Sequence, residues 1–161
     1  MSKIFMIGDT HAGMSPLNYH KWMLNLKEYF YKLYIPLLKE RYEPGDICIH
    51  LGDLFDNRNQ IPIDVLNDIQ KIVEEISSIL PIYILIGNHD IFTKASNDIN
   101  TPRLYKHIPD VFIIESTKEI EYNNKKLLLM PWVDKKSEQI KLINQYKSDY
   151  LFCHSDLNGA K

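Results

Sequence analysis

Apolar and polar positions along the first ninety residues alternate between two patterns. Lys3–Ile7 is a short apolar run closed by Gly8, the pattern of a strand covered on both faces. Trp22, Met23, Leu26, Tyr29, Phe30, Leu33, Tyr34, Leu37 and Leu38 then recur at three-to-four spacing, which predicts a long helix. Its aromatic stripe reads as core packing, and Pro36 should kink it or split its last turns. After the Pro44-Gly45-Asp46 turn, Ile47–Leu51 is a second buried strand, closed by Gly52. A second helix follows from about Pro62, with Val65, Leu66, Ile69, Ile72, Val73, Ile76, Ile79 and Leu80 on one face. Ile82–Ile86 is a third strand, closed by Gly87. This order predicts an α/β fold with a parallel βαβαβ core and right-handed crossovers.

Beyond His89 the organisation changes. Arg103–Ile108 reads as a short helix and Val111–Glu115 as a short strand. Glu119–Tyr122 and Lys126–Met130 flank Asn123-Asn124-Lys125, which predicts a hairpin. Ser137–Tyr146 is helical with Ile140, Ile143 and Tyr146 inward, and Tyr150–His154 is a last strand. No repeat or low-complexity segment interrupts the chain. Its 161 residues suit one domain, 1–161, with a real core.

Composition adds exclusions. Apolar residues make up 45% and charged residues 25% of the chain, as in a globular protein, and nothing is disordered by composition. The net charge of -2 gives no general attraction to nucleic acid, so DNA binding would need a local patch or a partner. Lys125-Lys126 and Lys135-Lys136 read as solvated turns and helix starts. Cys48 and Cys153 lie in apolar runs and read as unpaired buried thiols, as a reducing compartment allows. The apolar run before Gly8 is too short for a signal peptide or a membrane span, so a cytoplasmic protein is expected.

The chemistry follows the strands. The first ends in Gly8-Asp9-Thr10-His11, the second in Gly52-Asp53-Leu54-Phe55-Asp56-Asn57-Arg58, and the third in Gly87-Asn88-His89-Asp90. The last strand ends in His154. Functional groups of an open parallel sheet gather beyond the carboxyl ends of its strands, and glycine there permits sharp turns and close approach. Asp9, His11, Asp53, Asn88, His89 and His154 should therefore converge. Carboxylate, imidazole and amide oxygen suit Mn, Fe or Zn, with Mg also admissible, and a carboxylate such as Asp53 can bridge two ions. One carboxylate at a strand end is more often a helix cap; an ordered series of such ends is not. His50, inside the second strand, reads as a structural core histidine, His20 and His107 as surface residues, and Asp90 as a loop cap.

Asp-x-His, Gly-Asp-x-x-Asp-Asn-Arg, Gly-Asn-His-Asp and a strand ending in His form a series that resembles the calcineurin-like metallophosphoesterases. Gly8-Asp9-Thr10-His11-Ala12-Gly13 and Gly52-Asp53-Leu54-Phe55-Asp56 look like the Mre11/SbcD-type DNA repair and recombination nucleases. Pro131-Trp132 and Cys153-His154-Ser155-Asp156-Leu157-Asn158-Gly159 look like the T4-type phage recombination endonuclease subunits. The resemblance implies an αββα sandwich, of which this chain would supply the N-terminal part with a mixed sheet. It implies two divalent ions, with Mn as the working metal. Asp9 and His11 would hold the first, Asp53 would bridge, and Asn88 and His154 would hold the second. His89 would act as general acid, Asp56 would orient its imidazole, and Arg58 would contact phosphate. DNA and an SMC-like ATPase are the implied partners; a homodimer stays open.

One departure stands out. Such sites are completed by a later Gly-His-x-His motif, and no histidine follows His154. The domain is therefore expected to be incomplete at its C-terminus, as a fragment of a longer frame or half of a split protein, and less readily as a degenerate relative. Three functions follow: a DNA nuclease subunit, a phosphatase or phosphodiesterase of the same superfamily, or a non-catalytic remnant.

Overall fold

The computed structural model describes residues 2–14, 18–93 and 96–155. The Asp156-Leu157-Asn158-Gly159 ending lies outside the described residues. Four strands, β1 (Ile4–Ile7), β2 (Ile47–His50), β3 (Ile82–Leu85) and β6 (Val111–Ile114), form a wholly parallel sheet in the order β1-β2-β3-β6. Four of the predicted strands run one residue further at the carboxyl end than those observed, to Leu51, Ile86, Glu115 and His154; at Leu51, Ile86 and His154 the chain leaves the ladder to build the site. A second sheet of β7 (Lys118–Tyr122), β8 (Lys125–Met130) and β9 (Tyr150–Cys153) carries the mixed pairing: β7 runs antiparallel and β9 parallel to β8. The predicted hairpin turn is Asn123-Asn124, both at positive φ (51° and 59°), the conformation that two-residue hairpin loops require.

Alternation along β2 builds two cores. Cys48 points toward the helices α1 (Tyr19–Tyr29), α2 (Ile35–Arg41) and α3 (Ile63–Ser77), where Met23, Phe30, Leu38, Val65, Ile69 and Ile76 are buried. Ile47 and Ile49 point the other way, onto Leu127 and Leu129 of β8. The result is a helix layer, a parallel sheet and a second sheet, the layering expected of a calcineurin-like αββα fold.

Several expectations need correction. The first helix is split ahead of Pro36, one of the two outcomes expected, but by a π-helical segment, Phe30–Tyr34, which separates α1 from α2 and leaves Pro36 in the first turn of α2. That extra residue per turn rotates the stripe, leaving Tyr29, Leu33 and Leu37 exposed while Phe30, Tyr34 and Leu38 are buried. β1 is an edge strand whose cover is incomplete: Phe5 and Ile7 pack on the helix side and Ile4 on the other, but Met6 is exposed. In α4 (Lys136–Gln145) the buried residue is Gln139, and Ile140 faces solvent. Gln139 Nε2 donates to Val133 O, and Ser155 Oγ donates to Gln139 Oε1, which ties α4 to the end of β9. The hairpin of β4 (Ile91–Thr93) and β5 (Ser96–Asn100) is not foreshadowed by the sequence, since Ser96-Asn97-Asp98 has poor strand propensity. Cys48 is buried and Cys153 half-buried, both as free thiols.

Candidate metal centre

Register explains why remote residues meet. Ile7 pairs with His50, and His50 with Ile84, so this row crosses three strands at one level. Asp9, Asp53 and Asn88 follow within a few residues beyond it. Past the strand ends the first two loops stay zipped: Thr10 N–H and His11 N–H both donate to Asp53 O (3.2 and 3.0 Å), and Ala12 N–H donates to Leu54 O (3.0 Å). His11 and Asp53 both sit at positive φ (43° and 51°), a sparsely populated conformation for such residues. Such strain persists only where surrounding bonds over-determine it, and it concentrates at functional sites.

Two of the strand-end glycines are required by close approach. A Cβ at Gly87 would overlap the Asp53 carboxylate and main-chain nitrogen, and one at Gly52 (φ 107°) would lie 2.6 Å from His154 Nδ1. Gly8 is different: nothing lies within 4 Å of its Cβ position. The expected need for glycine thus holds at the second and third strand ends and not at the first.

Asp53 is the hub. Its side chain is buried; Oδ1 accepts the His89 N–H (2.8 Å), and Oδ2 faces two imidazoles, His11 Nε2 at 3.7 Å and His154 Nε2 at 3.4 Å. Burial pushes this carboxyl up, but the His154 imidazole and the His89 N–H outweigh it and hold it below its ordinary range. On one side, ligand atoms of His11, Asp53 and His89 lie within 4.8 Å of one another. On the other, His154 Nε2 lies 2.9 Å from Asn88 Oδ1, and Asp9 Oδ1 is 4.0 Å from His154 Nδ1. All six residues expected to converge do so.

His154 carries a second message. Its Nδ1 faces Leu51 O (2.9 Å), so that nitrogen donates, while Nε2 faces the acceptor atoms of Asn88 and Asp53. With Nδ1 donating, Nε2 is the nitrogen turned into the site. Burial lowers the imidazole pKa, yet Asp53, Leu51 O and Asp9 together raise it above its usual value. His11 Nδ1 is buried and, although 3.3 Å from Asp56 Oδ1, makes no aligned hydrogen bond. Oxygen and imidazole ligands facing one another around a central carboxylate fit hard-to-borderline divalent ions.

The expected role of Asp56 changes. Its main-chain carbonyl, not its carboxylate, meets His89 Nδ1 (2.7 Å), and the carboxylate turns toward His11. His89 Nδ1 thus donates to a carbonyl, which leaves Nε2 for proton transfer or for a ligand bond. Arg58 is half-buried and makes no hydrogen bond or ion pair with the described residues. Asn57 Oδ1 is engaged by the N–H groups of Asn59 and Gln60, fixing the loop that carries Arg58. Two residues outside the expected site also shape it. Asp90, fully buried, accepts the Phe55 and Gly87 N–H groups and so ties the second loop to the third. Trp132, also buried, packs on Ile86 and Ile91 and brings its ring within 6.1 Å of His154.

Comparison with known proteins is consistent with this geometry. The sequence profile of the Calcineurin-like phosphoesterase family matches residues 2–159. The chain belongs to that family. It is 25% identical over 170 residues to the protein 244L of Invertebrate iridescent virus 6, which is named as a phosphoesterase. That match takes in 99% of this chain and 55% of the viral protein. Protein 078R of Invertebrate iridescent virus 3, also named as a phosphoesterase, is 26% identical over 129 residues, or 73% of this chain and 36% of its own length. Among solved structures, an Aquifex aeolicus protein of unknown function shares the fold with a TM-score of 0.55 at 21% identity, covering 99% of this chain and 83% of that one. The chain spans about half or less of the viral phosphoesterases it matches. Family members hydrolyse phosphoesters with divalent metals, and the phosphoesterase domain described here has the ligand types for that chemistry. No helix among its described residues is long and apolar enough to cross a membrane.

Proposed function

We propose that this calcineurin-like phosphoesterase hydrolyses phosphodiester bonds with two divalent ions, Mn being the working metal, and that DNA is its substrate. The observation that carries the hydrolytic reading is the position of the Asp53 carboxylate, which faces His11 and His154 from one buried oxygen. Asp9, His11 and Asp53 would hold one ion; Asp53, Asn88 and His154 would hold the other. Bound there, the ions supply an acidified water and neutralise charge on the phosphoryl oxygens. His89, with Nδ1 fixed by the Asp56 carbonyl, would present a protonated Nε2 to the leaving oxygen. Support for DNA comes from the Gly-Asp-Thr-His and Gly-Asp-Leu-Phe-Asp-Asn-Arg segments, which resemble those of repair nucleases. On that reading an SMC-like ATPase is the partner, and a homodimer is a further arrangement.

A specific observation favours a second reading, a small phosphodiester substrate. Two lysines that could have contacted a nucleic-acid backbone are already engaged: Lys125 pairs with Asp149 (2.8 Å) and Lys126 with Glu119 (3.0 Å). Incubation with Mn on linear duplex DNA and on bis(p-nitrophenyl) phosphate separates the two. Cleavage of both supports the DNA reading, and cleavage of the chromogenic diester alone supports the second. Asp53→Asn should reduce kcat/KM on either substrate by about 10²-fold or more. Mn-independent turnover that survives in Asp53→Asn would remove the proposal.

A further inference from the structure

We infer that His50 is a positioning residue that locks the Asp9–His11 loop to the Asp53 loop through a one-directional hydrogen-bond relay. This inference rests on the metal-centre reading above. His50 is the last residue of β2; it points to the helix side of the sheet and is 2% exposed. It lines a small cavity with Ile7, Phe30, Leu54, Ile69, Ile82 and Ile84; among the described residues its hydrogen-bond partners are Gly52 and Thr10, and His154 and Asp53 act on it through their charge.

The direction of each bond is fixed by chemistry. The Gly52 main-chain nitrogen can only donate, and it lies 3.1 Å from His50 Nδ1; Nδ1 therefore carries the lone pair. In a neutral imidazole the proton is then on Nε2, which is 3.3 Å from Thr10 Oγ1 and donates to it. The Thr10 hydroxyl passes its own proton to Leu54 O (2.9 Å). Each proton of the relay is donated once, and Leu54 O, which also accepts the Ala12 N–H, closes it. Thr10 stands between Asp9 and His11, and Gly52 directly precedes Asp53. One buried ring thus holds the residue before Asp53 by its main chain and the residue before His11 by its hydroxyl, and both ligand residues are at positive φ. Any change in its tautomer would set two donors, Gly52 N–H and Nδ1–H, against each other, so the relay admits a single proton arrangement.

The relay predicts a spectroscopic signature and a metal-affinity effect that core packing alone would not produce. In ¹⁵N-labelled protein, long-range imidazole correlations should show His50 as the neutral Nε2–H tautomer, unchanged between about pH 5 and 8. His50→Leu, which removes both bonds, should weaken Mn binding measured by calorimetry by about 10- to 100-fold. Thr10→Val breaks the relay at its next link and should weaken binding in the same range, with little added loss in the double variant. His50→Asn, whose amide oxygen can still accept the Gly52 N–H, should recover part of the affinity. If His50→Leu does not fold, Thr10→Val and His50→Asn carry the test. An Nδ1–H tautomer, or folded relay variants with unchanged Mn affinity, would overturn the inference. Tautomer and Mn affinity are both readable if no phosphodiester is cleaved, so failure of the proposed reaction is distinguishable from failure of the relay.

Discussion

Gly87→Ala is expected to remove Mn-dependent hydrolysis although Gly87 has no side chain to contribute. The Asp53 loop occupies the space that a Gly87 side chain would need: a methyl group there would overlap Asp53 Oδ1 and its main-chain nitrogen, with Cγ only 2.9 Å away. Neither atom can yield cheaply. The nitrogen belongs to a loop held at positive φ, and Oδ1 already accepts the His89 N–H. The carboxylate must therefore move off the line between His11 and His154. A displacement of about 1 Å at a reacting centre costs on the order of 10²-fold in rate, so a loss of that size or greater is expected. Gly8→Ala is the matched control. Its Cβ would meet nothing within 4 Å, and Gly8 lacks a positive φ, so activity and Mn affinity should stay near wild type. Equal losses in the two variants would contradict the close-approach argument.

The second large effect is on acid stability, where two buried groups act in opposite directions. Burial, with a smaller contribution from nearby His154, depresses the His50 imidazole to about 3. In the unfolded chain its pKa is about 6.5. Between these values the unfolded state binds one more proton than the folded state. His50 therefore makes stability fall as pH drops, by about 1.4 kcal/mol per pH unit. Asp90 works the other way. Burial pushes its carboxyl up to about 6 despite the N–H groups of Gly87 and Phe55, against about 3.9 when unfolded. Between these values the folded state binds the extra proton, and stability rises as pH drops. From about pH 4 to 6 the two slopes cancel, which would mask both in the wild-type protein. Single substitutions uncover them. In metal-free protein, His50→Asn should make the urea-derived stability rise more steeply on acidification than wild type, and Asp90→Asn should make it fall more steeply, each by about 1.4 kcal/mol per pH unit. The slopes isolate the titration from whatever each substitution costs in packing. Parallel pH profiles for all three proteins would contradict the assigned burial effects.

How much of this was legible in the sequence follows from range. Strands β1, β2 and β3 announce themselves as continuous apolar runs closed by glycine, and helix α3 as an amphipathic run opened by Pro62. Their ends identify Asp9, His11, Asp53, Asn88, His89 and His154, since carboxyl ends of adjacent parallel strands must share one edge. What escaped depends on local geometry that residue patterns do not encode. The π segment at Phe30–Tyr34 turned Leu33 and Leu37 outward, and a helix of ideal pitch gives no warning of that. The Asp56 carboxylate turned to His11 because a closer acceptor, its own main-chain carbonyl, already holds His89. His50 looked like an ordinary core histidine. The available signal was its position, an imidazole closing an otherwise apolar strand three residues before Asp53. The fold is what sets Gly52 and Thr10 against its two ring nitrogens.

Anomalous diffraction at the Mn absorption edge, on crystals grown with Mn²⁺, is the most direct test of a dinuclear centre organised by Asp53. Two peaks should flank that carboxylate, one against His11 and the other against Asn88 and His154. A lone peak remote from Asp53, or no peak in this cleft, would contradict the account.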